Sequence, residues 1–167
     1  MWRRFRSGSD DFTFSEQRDY FEARVAANAE RVVDLLHALA ENLPPAIDVA
    51  VDDARSGRRW LGINVALPDA REAVARLKVP LAAYGGVELS LYSTEDQLTV
   101  TPDLELWIFS RTDRWLYILQ GIGLHEATML RPENWRYSPE ELGDAPELEE
   151  ALRAAAERLA LEPREPR

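Results

Sequence analysis

Apolar and polar positions alternate over some stretches of this chain and recur at helical intervals over others. Thr13 and Glu16 stand at capping-box spacing, and Phe21, Val25, Val32, Leu36, Leu39 and Leu43 follow at intervals of three, four or seven. That spacing predicts a long amphipathic N-terminal helix, ended by Pro44 and Pro45. Ile47, Val49 and Val51 then alternate with polar or small residues. After a polar turn at Ser56 and Gly57 the alternation resumes at Leu61, Ile63, Val65 and Leu67, which predicts a hairpin.

Pro68 stops the second strand, and Asp69 with Glu72 starts a short middle helix that Pro80 closes. Gly85 and Gly86 lead into Val87, Leu89 and Leu91, a turn at Thr94 to Asp96, and then Leu98 and Val100. The segment from Asp103 to Gln120 reads as a hairpin with two apolar faces. One face carries Leu104, Leu106, Ile108, Leu116 and Ile118; the other carries Trp107, Phe109, Trp115, Tyr117 and Leu119. A three-residue connection, Thr112 to Arg114, would pair Phe109 with Tyr117 and Ile108 with Ile118. Gly121 and Gly123 suggest a curl before a last strand over 124–130. Ser138, Pro139 and Glu141 make a short capped turn, and Pro146 opens a helix striped with Leu148, Leu152, Ala155 and Leu159.

These elements predict an α+β fold. A single domain over 13–161 holds an antiparallel, curled sheet of about six or seven strands, packed with a long N-terminal helix, a short middle helix and a C-terminal helix. Residues 1–12 form a flexible arm, basic and aromatic through Trp2, Arg3, Arg4, Phe5 and Arg6, and residues 162–167 form a disordered tail. The element order resembles that of small interaction folds of the roadblock and secretion-chaperone types, a likeness that carries no site residues.

Charge and composition narrow the function. The net charge of −10 disfavours nucleic acid and anionic membrane as partners. The absence of cysteine excludes disulfides, thiolate metal sites and cysteine nucleophiles. No apolar run follows the basic start and none reaches the length of a membrane span, so a cytoplasmic protein is expected.

Candidate chemistry is sparse. His37 lies beside the Leu36 and Leu39 stripe. His125 precedes Glu126 but has Met129 where a metalloprotease helix needs a second histidine. Asp48, Asp52 and Asp53 offer oxygen ligands for a hard cation, yet they also fit a charged edge strand that resists strand addition. Glu88 and Glu105 read as outward strand residues. Gly121 and Gly123 lack the third glycine and the following helix of a dinucleotide loop, and no glycine-flanked serine forms a nucleophile elbow. No catalytic residue, metal or cofactor is assigned.

The reading that follows is a non-enzymatic, acidic, cytoplasmic protein-interaction module of adaptor, chaperone-like or immunity-like kind. It binds a basic protein partner or a second copy through Trp107, Phe109, Trp115 and Tyr117. The alternative is a small-ligand-binding protein or enzyme, with a pocket between sheet and helix in which His125 and Glu126 are the polar groups.

Overall fold

The N-terminal stretch expected to be a long helix begins with a strand hairpin. The computed structural model describes residues 10–130 and 142–165, and its first elements are β1 (Asp11–Glu16) and β2 (Phe21–Ala26), paired antiparallel from Asp11↔Ala26 to Glu16↔Phe21. Phe12 and Phe14 alternate with polar residues, as do Ala23 and Val25. The polar run Ser15 to Asp19 offers no apolar residue for a helical stripe and closes a turn through the Gln17 N–H to Tyr20 C=O bond (2.7 Å). The helix α1 is only Ala29–Leu39, extended by a 3-10 turn over Ala40–Asn42. The intervals of four and seven had joined strand residues to helix residues.

The next hairpin forms as expected, from β3 (Ala46–Asp53) and β4 (Arg59–Ala66). A bulge shifts their register between Ile47 and Val49, with Asn64 left-handed at φ 59°, and it turns Ile63 outward. The middle helix α2 is longer than expected. It runs Leu67–Tyr84 straight through Pro80, because buried Leu77 and Leu81 anchor it on either side of the lost hydrogen bond. Strands β5 (Val87–Tyr92), β6 (Asp96–Val100) and β7 (Leu106–Ser110) follow.

The expected partner of β7 is the helix α3 (Arg114–Gly121). An unbroken apolar run fits either period; here Trp115 and Leu119, four apart, are buried while Tyr117 between them is 62% exposed. The pairs Phe109–Tyr117 and Ile108–Ile118 therefore do not exist, and Phe109 lies opposite Gln97 and Glu22 instead. Gly123, at φ 93°, belongs to the end of α3 rather than to a curl of the sheet. The last strand expected over 124–130 shrinks to β8 (His125–Glu126). The turn expected at Ser138 to Glu141 lies outside the described residues, as do the first nine residues of the arm; its last two, Asp11 and Phe12, open β1.

The helix α4 (Pro146–Arg158) forms as its stripe predicts. The tail does not stay irregular. Leu161 packs against Gly62, where an added Cβ would stand 2.4 Å from a Leu161 methyl, and β9 (Glu162–Arg164) then pairs with β4.

Among the described residues the result is one open, mixed sheet of nine strands in the order β8-β1-β2-β7-β6-β5-β3-β4-β9, with only β1–β8 parallel. It is neither the sheet of six or seven antiparallel strands nor the helix-first order expected, so the likeness to roadblock and secretion-chaperone folds lapses. Register places Ala23, Val25, Leu106, Ile108, Leu98, Val100, Leu89, Leu91, Val49 and Val51 on one face. They share a single buried core with Val32 and Leu36 of α1, Val74 and Leu77 of α2, Trp115 and Leu119 of α3, and Leu148 and Leu152 of α4. The four described helices thus pack on that side. Among the described residues no helix covers the other.

Candidate functional site

The uncovered face is the candidate interface. Its centre is a line of aromatic rings set by strand periodicity, since Trp107 and Phe109 are two residues apart on β7 and share a side. Their rings stack with centroids 6.0 Å apart. Tyr20, from the β1–β2 turn, meets Phe109 edge-on at 5.9 Å. All three retain exposure, Tyr20 the most.

Arg24 of β2 stands opposite Trp107, and its guanidinium lies 4.3 Å from the indole centroid. The same oxygen of Glu105 accepts from Arg24 Nη2 at 3.0 Å and from Trp107 Nε1 at 3.2 Å. Arg24 Nε is buried without an acceptor. Carboxylate, indole and guanidinium therefore fix one another, and they hold the large ring in one orientation.

Toward β4 the face becomes acidic. Between the two halves runs a neutral strip, where Ser90 and Thr99 share a buried hydrogen bond of 2.8 Å and Gln97 donates to Thr99 at 2.9 Å. Beyond it, Asp52 and Glu88 stand directly across the β3–β5 ladder. Arg59 Nε binds Asp52 at 2.6 Å, whereas Glu88 makes no hydrogen bond or ion pair with any described residue. Partial burial, then the Asp52 charge, raises the proton affinity of Glu88 against the weaker opposing pull of Arg59. Tyr92, opposite Asp48, is also shifted upward, by burial first and then by Asp48 and Asp52. Asp48 itself accepts the Asn64 N–H at 3.0 Å.

The residues singled out in the sequence fall in different places. Trp107 and Phe109 share the open face. Trp115 is on the opposite side of the sheet, fully buried, donating from Nε1 to Asp96 at 2.8 Å. Tyr117 is exposed on α3. His125 and Glu126 are both exposed on the edge strand β8, and Glu126 accepts a long bond of 3.4 Å from Gln120. Asp53 turns to the helix side and accepts from Arg55 N–H and Ser56 Oγ, so it does not converge with Asp48 and Asp52. Among the described residues no group of three or more histidines and carboxylates is placed to hold a metal ion, and no helix is long and apolar enough to cross a membrane.

A polar cleft of about 470 Å³ opens between the β3–β4 turn and the start of α4. It is lined by Asp53, Arg55, Ser56, Gly143, Pro146 and Glu149 among others. Arg55 binds carbonyl oxygens of Tyr84 (2.7 Å), Gly85 and Gly143 (3.0 Å), which ties the end of α2 to the segment before α4. His125 and Glu126 take no part in it.

Arg24, Glu105 and Tyr20 escaped the sequence reading as partners of Trp107 and Phe109, because cross-strand neighbours depend on strand order and periodicity carries no strand order. No known protein family, curated protein or solved structure matches this chain.

Proposed function

We propose that this protein is a non-enzymatic interaction module, adaptor-like, chaperone-like or immunity-like in kind, that binds another protein through its open sheet face. The observation that carries this reading is the one-sided placement of the four described helices, so that no described helix covers Trp107, Phe109 and Tyr20, which stay partly exposed. Aromatic rings concentrate at protein interfaces, and a ring already fixed by neighbours loses little side-chain entropy on binding. The Glu105 and Arg24 contacts supply that fixation.

The test is selection of binders to the full chain from a displayed random-peptide library, mapped by hydrogen exchange. The reading expects protection over β6 and β7, and a loss of roughly 30-fold in affinity on Trp107→Ala, as at an interface hot spot of about 2 kcal/mol. Binders indifferent to Trp107 would count against it. A ligand-binding reading rests on the cleft beside Arg55. Protection confined to that cleft, abolished by Arg55→Ala and untouched by Trp107→Ala, would favour it.

A further inference from the structure

The open face differs from the helix-covered face in charge as well as in cover. Among the described residues Glu22, Glu105, Glu88, Asp48, Asp52 and Glu162 lie on it or at its margin, against Arg24, Arg59 and Arg164, and Arg24 and Arg59 are already paired with a carboxylate. The like charges of Asp52 and Glu88, directly opposed across a ladder, repel. Nothing in the packing requires that pair, since its side chains point away from the core.

Resting on the interaction-module reading, we propose that the occupant of this face is a protein segment bearing arginine or lysine side chains beside apolar ones. Its apolar groups meet Trp107 and Phe109, and its cationic groups reach Glu88 and Asp52. The face already displays the required chemistry once: Arg24 sits on the Trp107 ring with its charge against Glu105. A second copy of this chain is disfavoured, because two faces with the same acidic surplus repel. A cationic partner relieves the Asp52–Glu88 repulsion, and its encounter rate rises at low ionic strength.

The probe is a short peptide alternating arginine and tryptophan, compared with its citrulline counterpart, which keeps shape and loses charge. Binding to the full chain is measured by calorimetry at low and high salt. The arginine peptide is expected to bind roughly tenfold tighter than the citrulline peptide, with the gap narrowing in salt. Glu88→Gln should shrink that gap by about threefold or more, while Glu150→Gln on exposed α4 leaves it unchanged.

Equal binding of the two peptides, still lost on Trp107→Ala, would overturn the cationic partner and leave the aromatic face as an interface. Binding indifferent to both Trp107 and Glu88 would remove both readings. No binding of the arginine peptide, or a dimer of the chain that Trp107→Ala dissolves, would overturn the cationic partner by giving the face to a different occupant.

Discussion

The sheet carries the same three-part chemistry on each face, and the two copies differ in what surrounds them. On the covered face, Asp96 accepts from Trp115 Nε1 (2.8 Å) and Ser110 Oγ (2.6 Å) and pairs with Arg114, whose guanidinium lies 5.1 Å from the Trp115 ring. On the open face, Glu105 accepts from Trp107 and Arg24 in a closely similar way. In the first triad the acceptor and the ring are sealed, with Trp115 1% and the Asp96 side chain 3% exposed, while Arg114 at 41% is as open as Arg24. The second leaves the Arg24 and Glu105 side chains 39% and 19% exposed. The sealed triad locks α3 onto the sheet, because Asp96 has given up its water and depends on those donors. The open triad keeps water as an alternative partner, so it orients a ring at little cost in stability and leaves that ring available.

Removing each carboxylate should separate the two triads most sharply. Asp96→Ala leaves the buried Trp115 indole N–H and Ser110 hydroxyl without their acceptor, while the 41% exposed Arg114 can turn to water, and should destabilise by about 2–4 kcal/mol. Glu105→Ala breaks a partly exposed pair and should cost about 1 kcal/mol or less. Denaturant unfolding of both variants decides it, and equal losses would erase the distinction between the faces. The tryptophans repeat the test with apolar area. Trp115→Ala should cost about 3–5 kcal/mol. Trp107→Ala should cost about 1–2 kcal/mol, the sum of its stacking on Phe109 along β7 and one cation–π contact.

How legible this contrast is in the sequence depends on which residues are asked. Strict alternation over Ile47–Val51 and Val87–Leu91, and the helical stripe of Leu148, Leu152 and Ala155, marked their elements because each period was unmixed, whereas Leu106–Phe109 is apolar at every position and fits a strand only as one of two readings. The run Trp115–Leu119 is apolar at every position and so carries no period. Its helix is selected by the buried acceptor Asp96, eighteen residues or more before Arg114 and its neighbours, which local pattern cannot reveal. The N-terminal hairpin was missed because Phe21 and Val25 happen to lie four apart, in step with the helix that follows. Trp107 and Phe109 were visible as a pair; that Arg24 would cover one of them required knowing that β2 lies beside β7.

The covered face must also be sealed at its edge, where Leu161 drops onto Gly62 ahead of β9. Gly62→Ala would place a methyl group 2.4 Å from the Leu161 Cδ2 and 2.9 Å from a Val65 methyl, so those side chains must move. The expected cost is about 1–3 kcal/mol, typical of overpacking, with faster hydrogen exchange over Glu162–Arg164. The open face should not respond, and a change in the Arg24–Trp107 geometry on this substitution would show that the two faces are coupled through the sheet.

The smallest effect has the opposite sign. Glu88 binds its proton more tightly in the folded chain than an ordinary carboxylate does, because burial and the facing Asp52 disfavour its charge. A raised folded-state pKa contributes stability that is fully present below the usual carboxylate range and is lost as pH rises through the folded value. At neutral pH the ionised side chain is therefore a net liability. Glu88→Gln removes the charge and keeps the shape, so near pH 7 it should stabilise the protein by about 0.2–1 kcal/mol, toward the lower end because solvent screens the pair. Near pH 4 the advantage should fade, since the native side chain is then largely protonated. Denaturant unfolding at both pH values measures the difference. A Glu88→Gln variant that is less stable near pH 7 would mean that the carboxylate is held by favourable contacts, and Glu88 would then have no unspent charge to offer a cationic partner.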